Sequence, residues 1–198
     1  MKPIKLKKGH VLVLRTNNKD NKSNEGTFQY PTKGVVEAPD WKPIQECGDG
    51  LHGAMMGCGD GELFNWRDDA LWMVLSVEES SIIDLDGKVK FPKAEVVYVG
   101  DRKTATDIVA SVYGHIGIIG ATVTVGDKEM ATAGDKGTAT AGFEGTATAG
   151  DNGILNIKYH DDKNNRYRLA IAYVGEKGIE PNVPYKLNKN NEFIKVEE

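Results

Sequence analysis

Two cysteines and a histidine lie close together in a glycine-rich stretch, in the order Cys47, His52 and Cys58, with the spacing C-x4-H-x5-C. Zinc accepts thiolate and imidazole ligands, but a structural site needs four ligands and a catalytic site needs three with an open position. Asp49 or Asp60 would have to complete the shell, and the spacing matches no common zinc pattern. We therefore predict no metal or other cofactor, with zinc on Cys47, His52 and Cys58 as the alternative.

His52 is also the candidate for a catalytic residue. Cys47 would be the nucleophile and His52 its base, but such pairs are usually assembled from distant positions and need a third residue to orient the histidine. The sequence identifies no such residue. A structural role is the simpler interpretation, because an irregular segment needs side-chain partners for its backbone groups and the ring of His52 can supply one.

Carboxylates follow this stretch at Asp60, Glu62, Asp68 and Asp69. Paired carboxylates can do acid and base chemistry, but a charged loop beside Trp66 is more often simply solvated. The glycine-rich stretch also lacks the lysine and hydroxyl residue that follow a phosphate-binding loop. Nucleotide binding is therefore only an alternative here.

Apolar, β-branched runs between turn residues predict that the first hundred residues are mainly β. These runs are Val11–Leu14, Leu71–Val77, Ile82–Leu85, Lys88–Phe91 and Glu95–Val99. The polar stretch Asn17–Gly26 predicts a mobile surface loop. The many glycines and prolines of Gly34–Gly61 predict an ordered region with little regular structure, in which Trp41 and Leu51 are buried.

One helix is predicted after these strands. Asp101 has the character of an N-cap, and apolar residues recur at helical spacing from Ala105 to Val112. Gly114 then ends the helix, which would connect the β-rich region to the second half of the chain.

The stretch from Thr122 to Gly153 consists of four eight-residue units, TVTVGDKE, MATAGDKG, TATAGFEG and TATAGDNG. In an extended segment, Thr138 and Thr140 point to one face and Ala139 and Ala141 to the other. The glycine-containing tetrads supply residues that tolerate positive φ at a sharp corner. A meander of hairpins and a β-solenoid both fit, and alanine suits the narrow interior of a solenoid with two octapeptides per coil.

A repeat array of this length needs its ends covered, because each unit buries its apolar face against a neighbour. The apolar flanks Ile116–Ile119 and Ile154–Tyr159 are the predicted caps. The fold class is thus mainly β (α+β). Its predicted segments are a β-rich N-terminal region (1–100), a connecting helix (101–114), a short β-solenoid (115–160) and a C-terminal β cap (161–198), packed as one compact unit.

Composition narrows the functional class. The chain has 198 residues and a net charge of −4, with lysines scattered along it, so a broad nucleic-acid-binding face is not expected. No apolar run reaches the length of a signal peptide or membrane span, and two cysteines do not make a disulfide scaffold. We predict a cytoplasmic protein without membrane association.

The octapeptide AGFEGTAT resembles the AGYGSTxT unit of bacterial ice-nucleation proteins. This resemblance covers the repeat segment and implies the solenoid fold. Ice nucleation depends on a long array that presents a large regular surface, so the activity is not expected of four octapeptides. Threonine on the outer face is explained by its preference for strands.

The chain as a whole resembles an uncharacterised family found in phages, prophages and bacteria. The motifs that carry this resemblance are VLRTNN, GVVEAPDW, CGDGLHGAMMG, GKVKFPKAEVVYVGDRKTAT, the TATAG repeats and IEPNVPYKLN. The resemblance implies a phage or mobile-element origin, the host cytoplasm as location, and interference with a host process.

We therefore predict a non-catalytic binding protein whose glycine-rich loop displays Trp41, Cys47, Asp49, His52 and Asp60 to a macromolecular partner or small ligand. The solenoid end strands would allow homo-oligomers. Two alternatives stay open. One is an enzyme, a transferase or hydrolase acting on a nucleotide-like ligand, centred on the Cys47–Gly61 loop. The other is a structural component of a particle.

Overall fold

The structure is a computed structural model that describes residues 4–23 and 26–196. Residues 24 and 25 of the predicted polar loop lie outside the described residues. So do the outer ends of the two terminal segments predicted above. The chain divides into two compact units, Met1–Gly114 and His115–Glu198. Strands dominate both units and the described residues hold one α-helix, so the fold class is mainly β. The predicted segment boundaries and their packing as one unit stay predictions.

The first unit holds a seven-stranded antiparallel sheet. Its strands are β1 (His10–Asn17), β2 (Gly34–Glu37), β3 (Leu51–Met55), β4 (Leu71–Glu78), β5 (Ile83–Asp84), β6 (Val89–Phe91) and β7 (Lys93–Gly100). They lie in the order β2-β7-β4-β1-β3-β6-β5, and the sheet is open. The five strands predicted from apolar runs are confirmed.

The central strands β1 and β4 pair along their whole length, from His10 opposite Glu78 to Asn17 opposite Leu71. Their continuous apolar runs suit strands that are covered on both faces. Val13, Met73 and Phe91 belong to the core cluster of the unit and are fully buried.

The helix α1 (Arg102–Tyr113) packs on β1, β4 and β7. Asp101 is its N-cap and accepts a hydrogen bond from the backbone N–H of Thr104 at 2.8 Å, as predicted. Gly114 ends the helix, also as predicted. The hydroxyl of Tyr113 accepts a hydrogen bond from the backbone N–H of Leu12, which ties the last turn of α1 to β1.

The prediction of little regular structure in Gly34–Gly61 is wrong, because β2 and β3 lie within it. β3 can pair closely with β1 in the sheet because Gly53 has no side chain. A Cβ at Gly53 would be 2.5 Å from a methyl carbon of Val13. Trp41, which the sequence predicts to be buried, is only half-buried.

The polar loop after β1 lies mostly at the surface, with Lys19, Asp20 and Lys22 exposed, but buried asparagines anchor it. Asn17 and Asn21 are both buried, and the Nδ2 of Asn17 donates to the Oδ1 of Asn21 at 2.8 Å. Asn21 in turn donates to the backbone carbonyl of Tyr30, so amide side chains hold this segment in place.

The second unit holds two four-stranded sheets. Its strands are β8 (Thr122–Thr124), β9 (Met130–Thr132), β10 (Thr138–Ala141), β11 (Thr146–Thr148), β12 (Ile154–Asp161), β13 (Arg166–Tyr173), β14 (Tyr185–Leu187) and β15 (Phe193–Lys195). The sheet orders are β13-β12-β10-β8 and β15-β14-β11-β9.

Alternate octapeptides pair in parallel. Thr138 lies opposite Thr122 and Ile154, and Thr146 lies opposite Met130, so paired positions are 16 residues apart. β12, which follows the repeats, continues this parallel pairing, and the later strands pair antiparallel, β13 with β12 and β14 with β11. Odd and even octapeptides thus belong to different sheets.

The alternation of side chains in the octapeptides is as predicted. Ala139, Ala141 and Ala147 are fully buried, whereas Thr138 and Thr140 are half-buried. A methyl group therefore fills the space inside the repeats, and the threonines lie toward the outside.

Candidate ligand-binding site

The first unit contains a cavity of about 380 Å³ beside β1 and β3. Its wall includes a buried cation, a histidine and aromatic rings. The side chains most relevant to binding are Arg15, Tyr30, Asp40, His52, Phe64 and Lys88. This volume is in the range of small-molecule sites, and the wall has the usual mixture of apolar rings and a few polar groups.

Arg15 directly follows the apolar run Val11–Leu14 of β1, and only 9% of it is exposed. Its Nε donates to Asn17 Oδ1 at 3.0 Å, and its Nη1 donates to the backbone carbonyl of His52 at 3.0 Å and to the hydroxyl of Tyr30. The guanidinium carbon also lies 3.9 Å from the centroid of the Tyr30 ring. Burial lowers the pKa of Arg15, while Tyr30 raises it.

His52 lies on β3, opposite Lys90 of β6. Among residues 4–23 and 26–196, its Nε2 is buried and has no hydrogen-bond partner. Burial, and then the charges of Lys88, Arg15 and Lys90, lower the pKa of His52 to about 4. The ring is therefore uncharged at neutral pH. The interpretation that it hydrogen-bonds the loop backbone is wrong for Nε2.

The two cysteines take separate positions. Cys47 is exposed, and its Sγ lies 2.9 Å from the Nζ of Lys88. Cys58 is half-buried, and burial raises the pKa of its thiol. In the part of the chain that the structure describes, no three His, Cys, Asp or Glu side chains are grouped so that they could hold a metal ion. Cys47, His52 and Cys58 are not grouped in this way among the described residues, and zinc binding stays an alternative prediction.

The other residues predicted for binding have partners of their own. Asp49 lines the cavity and pairs with Lys42 at 3.0 Å. Asp60 also lines the cavity, and its side chain accepts a hydrogen bond from the backbone N–H of Glu62. Trp41 borders a neighbouring hollow, where its ring lies 5.7 Å from the Nζ of Lys90.

Arg15, Tyr30, Asp40 and Lys88 line the cavity but were not predicted as site residues. A signal existed for Arg15, because a charge inside the run VLVLRTN cannot reach solvent easily if the strand is central. No comparable signal marked the other three, because the distant segments that carry them meet only in the folded sheet.

A second feature lies on β13 in the second unit. Tyr167, Leu169, Ile171 and Tyr173 alternate along the strand and are exposed by 57, 50, 56 and 49%. They therefore share one face, and β13 is the end strand of its sheet. Together they form an apolar stripe, which we call the β13 stripe. No helix in the described residues is long and apolar enough to span a membrane.

Comparison with known proteins gives relatives for half of the chain. The ice nucleation protein InaU of Pantoea ananas is 35% identical over 106 residues, which are 52% of this chain and 10% of that protein. An ice nucleation protein of Pseudomonas syringae is 37% identical over 103 residues, and one of Pseudomonas fluorescens is 38% identical over 102. The chain spans about a tenth or less of the length of these relatives. No solved structure matches it.

A family described as a domain of unknown function, DUF7666, matches residues 11–110. These residues include most of the helix and the described wall of the cavity. They also include every strand of the first unit, except for the first residue of β1. They make up half of the chain, and the protein therefore belongs to the DUF7666 family.

Proposed function

We propose that this chain is a non-catalytic interaction protein that associates with a second copy of itself through β13. The observation that carries the proposal is the β13 stripe, four half-exposed apolar side chains on the end strand of a sheet. An end strand offers unpaired backbone groups to another chain, and a contiguous apolar surface favours contact with a protein partner.

The β13 stripe is self-complementary. When two copies of β13 pair antiparallel about Ala170, Leu169 of each copy faces Ile171 of the other, and Tyr167 faces Tyr173. Aromatic and aliphatic cross-strand pairs of this kind stabilise a sheet. Because the same surface serves both copies, the interface closes as a two-fold dimer rather than growing into a fibre.

Sedimentation velocity on the full chain tests the proposal. We expect a dimer for the wild type and a monomer for the double variant Leu169→Lys, Ile171→Lys, because lysine charges on facing strands repel and resist burial. The matched control is Met130→Lys, which places a lysine on β9, an end strand of the other sheet, at a residue 61% exposed. A wild type that stays monomeric, or a control that dissociates equally, would contradict the proposal.

We also infer that the octapeptides form a short β-solenoid with two octapeptides per coil, covered at one end by β13, β14 and β15. What supports this is the 16-residue spacing of side-chain contacts. The backbone N–H of Phe143 donates to Asp127 Oδ1 at 2.8 Å, and that of Asp151 donates to Asp135 Oδ1 at 2.9 Å. Both bonds thus join the first coil to the second in the same way.

The relatives are named for ice nucleation, and we propose that this chain shares their repeat fold without that activity. The threonines that face outward from β8 and β10 are Thr122, Thr124, Thr138 and Thr140, a small area for ordering water. Freezing temperatures of supercooled droplets, measured with and without the protein, test this. A rise that Thr138→Val removes would contradict it.

An enzyme centred on the Cys47–Gly61 loop, a transferase or hydrolase of a nucleotide-like ligand, is the second candidate. It is favoured by His52 and Cys47, which both line the cavity. Replacement of His52 by Ala separates the two candidates, because an enzyme would lose turnover while it stayed folded. A phage or mobile-element origin, interference with a host process, and a role in a particle stay predictions.

A further inference from the structure

Arg15 is a buried cation without an anionic partner. The three groups that accept its hydrogen bonds are an amide oxygen, a phenol and a backbone carbonyl, and all three are neutral. Within the described residues no carboxylate pairs with Arg15, and its Nη2 donates no hydrogen bond. A buried charge is costly unless an opposite charge compensates it. The wall of the cavity therefore lacks one negative group beside Arg15.

His52 adds a second unsatisfied group to the same wall. Its Nε2 is buried without a partner in the described residues, although a neutral imidazole has one nitrogen that donates and one that accepts. Lys88 lines the cavity as well and contributes, with Arg15, to the low pKa of His52. Two cations and an uncharged ring thus favour an anion at this place.

Three carboxylates also line the cavity, and they limit where the anion can lie. Asp49 is paired with Lys42, and Asp60 accepts the backbone N–H of Glu62. Asp40 makes neither an ion pair nor a hydrogen bond within the described residues, but its charge acts to raise the pKa of both Tyr30 and His52. A ligand must therefore keep its negative group on the Arg15 side and can offer a hydrogen-bond donor to Asp40.

The rest of the wall combines the hydroxyls of Thr16, Ser23 and Thr27 with an apolar and aromatic part. Phe28 and Tyr30 pack edge to face with ring centroids 4.9 Å apart, and Leu51 and Phe64 complete this lining. Such side chains favour a planar apolar body. A cavity of about 380 Å³ has room for a single ring system with one substituent.

We propose that this cavity binds a small molecule that carries an aromatic ring and one anionic group, with the anion at Arg15 Nη2 and His52 Nε2. Arginine accommodates both carboxylates and phosphates, so the anionic group is the shared chemistry of two ligand classes. The proposal concerns the first unit and does not depend on association through β13.

Thermal unfolding of the full chain, followed by isothermal titration, tests the proposal with defined probes. The anionic probes are benzoate, phenyl phosphate and adenosine monophosphate, and the neutral counterparts are benzamide and adenosine. We expect at least one anionic probe to raise the melting temperature, because a ligand that binds only the folded state stabilises it. A larger rise in melting temperature with benzoate identifies a carboxylate ligand. A larger rise with phenyl phosphate or adenosine monophosphate identifies a phosphate ligand. No shift with any anion, or equal shifts with the neutral counterparts, would overturn the proposal.

Variants then locate the bound anion. Lys88→Met should weaken binding by at least about tenfold, the loss expected when one charge-assisted contact is removed. The matched control Lys93→Met removes an exposed lysine that does not line the cavity and should leave the affinity unchanged. Arg15→Met should abolish binding, and if it does not fold, His52→Phe replaces it as a variant that fills the anion position. Wild-type affinity in both Lys88→Met and His52→Phe would refute the assigned position.

Discussion

Gly142 packs so closely against Asp127 of the preceding coil that an added methyl group would lie 2.5 Å from the backbone nitrogen of Asp127. Gly150 has the same relationship to the backbone nitrogen of Asp135, also at 2.5 Å. Neither glycine has a positive φ, and the left-handed residue of each corner is instead the third of its tetrad, such as Glu144. Gly142 and Gly150 are therefore required by close stacking and not by backbone conformation.

Gly142→Ala should destabilise the second unit by about 1–3 kcal/mol, the usual cost of overpacking a filled space. The matched control is Gly126→Ala, because Gly126 opens the first octapeptide corner and an added methyl there meets the flexible side chain of Glu129. Urea denaturation of both variants measures the difference in unfolding free energy. Equal stabilities would show that the coils can separate enough to admit a methyl group.

Removal of whole coils tests the 16-residue period directly. Deletion of residues 134–149 keeps each later strand in its own sheet, because strands 16 residues apart pair in parallel. Deletion of residues 134–141 alone moves the strands that follow into the opposite sheet. We expect the second unit to unfold cooperatively on heating after the longer deletion. After the shorter deletion, we expect it to lose this cooperativity. The reverse result would contradict a coil of two octapeptides.

The parts of the fold that depend on local signals could be predicted from the sequence. Asp101 and Gly114 mark the ends of α1 through their own chemistry, and the apolar run of β4 identifies a buried strand without reference to other residues. β3 could not be predicted in this way, because glycine at position 53 is typical of a loop. Its role in a strand follows only from the close approach of β1, which the sequence does not show.

The candidate site was predicted only in part, for a similar reason. Cys47, Asp49, His52 and Asp60 lie near one another in sequence and all line the cavity. The burial of Arg15, in contrast, depends on Tyr30 and on the backbone of His52, which are brought to it by different segments. The spacing of residues in the sequence does not show that these segments come together around Arg15.

The stability of the first unit should fall as the pH drops from about 6.5 to about 4. The pKa of His52 is about 4 in the folded chain, against 6.5 for an unperturbed histidine, so the unfolded chain binds the extra proton in this window. The contribution of His52 to folding stability is therefore fully present above pH 6.5 and is lost toward pH 4. The slope cannot exceed about 1.4 kcal/mol per pH unit, because at most one proton on His52 distinguishes the unfolded from the folded chain.

Urea denaturation at several pH values measures this slope in the wild type and in His52→Gln. The variant should lose most of the dependence between about pH 4 and 6.5, because its side chain does not titrate. His115→Gln is the control, since His115 is exposed and lies in the second unit. An unchanged slope in His52→Gln would mean that another group causes the acid sensitivity.

Lys90 fastens the glycine-rich loop to the sheet. Its side chain is fully buried, and its Nζ donates to the backbone carbonyls of Glu46 at 2.8 Å and of Gly48 at 3.4 Å. Lys90→Met keeps the apolar stem but leaves both carbonyls without their donor. Because the carbonyls of Glu46 and Gly48 would lose the hydrogen bonds that hold them at Lys90, we expect the loop to separate from β6 and these acceptors to turn to water.

Hydrogen exchange read by mass spectrometry tests this consequence. Lys90→Met should increase exchange in residues 42–50 while the central strands β1 and β4 keep their protection, because local opening costs less than global unfolding. Lys93→Met is the control, since Lys93 is exposed and pairs with Glu37 at the surface. Uniformly faster exchange would mean that Lys90 supports the whole sheet. Unchanged exchange would mean that the loop is held by its other contacts, among them the pair Lys42–Asp49.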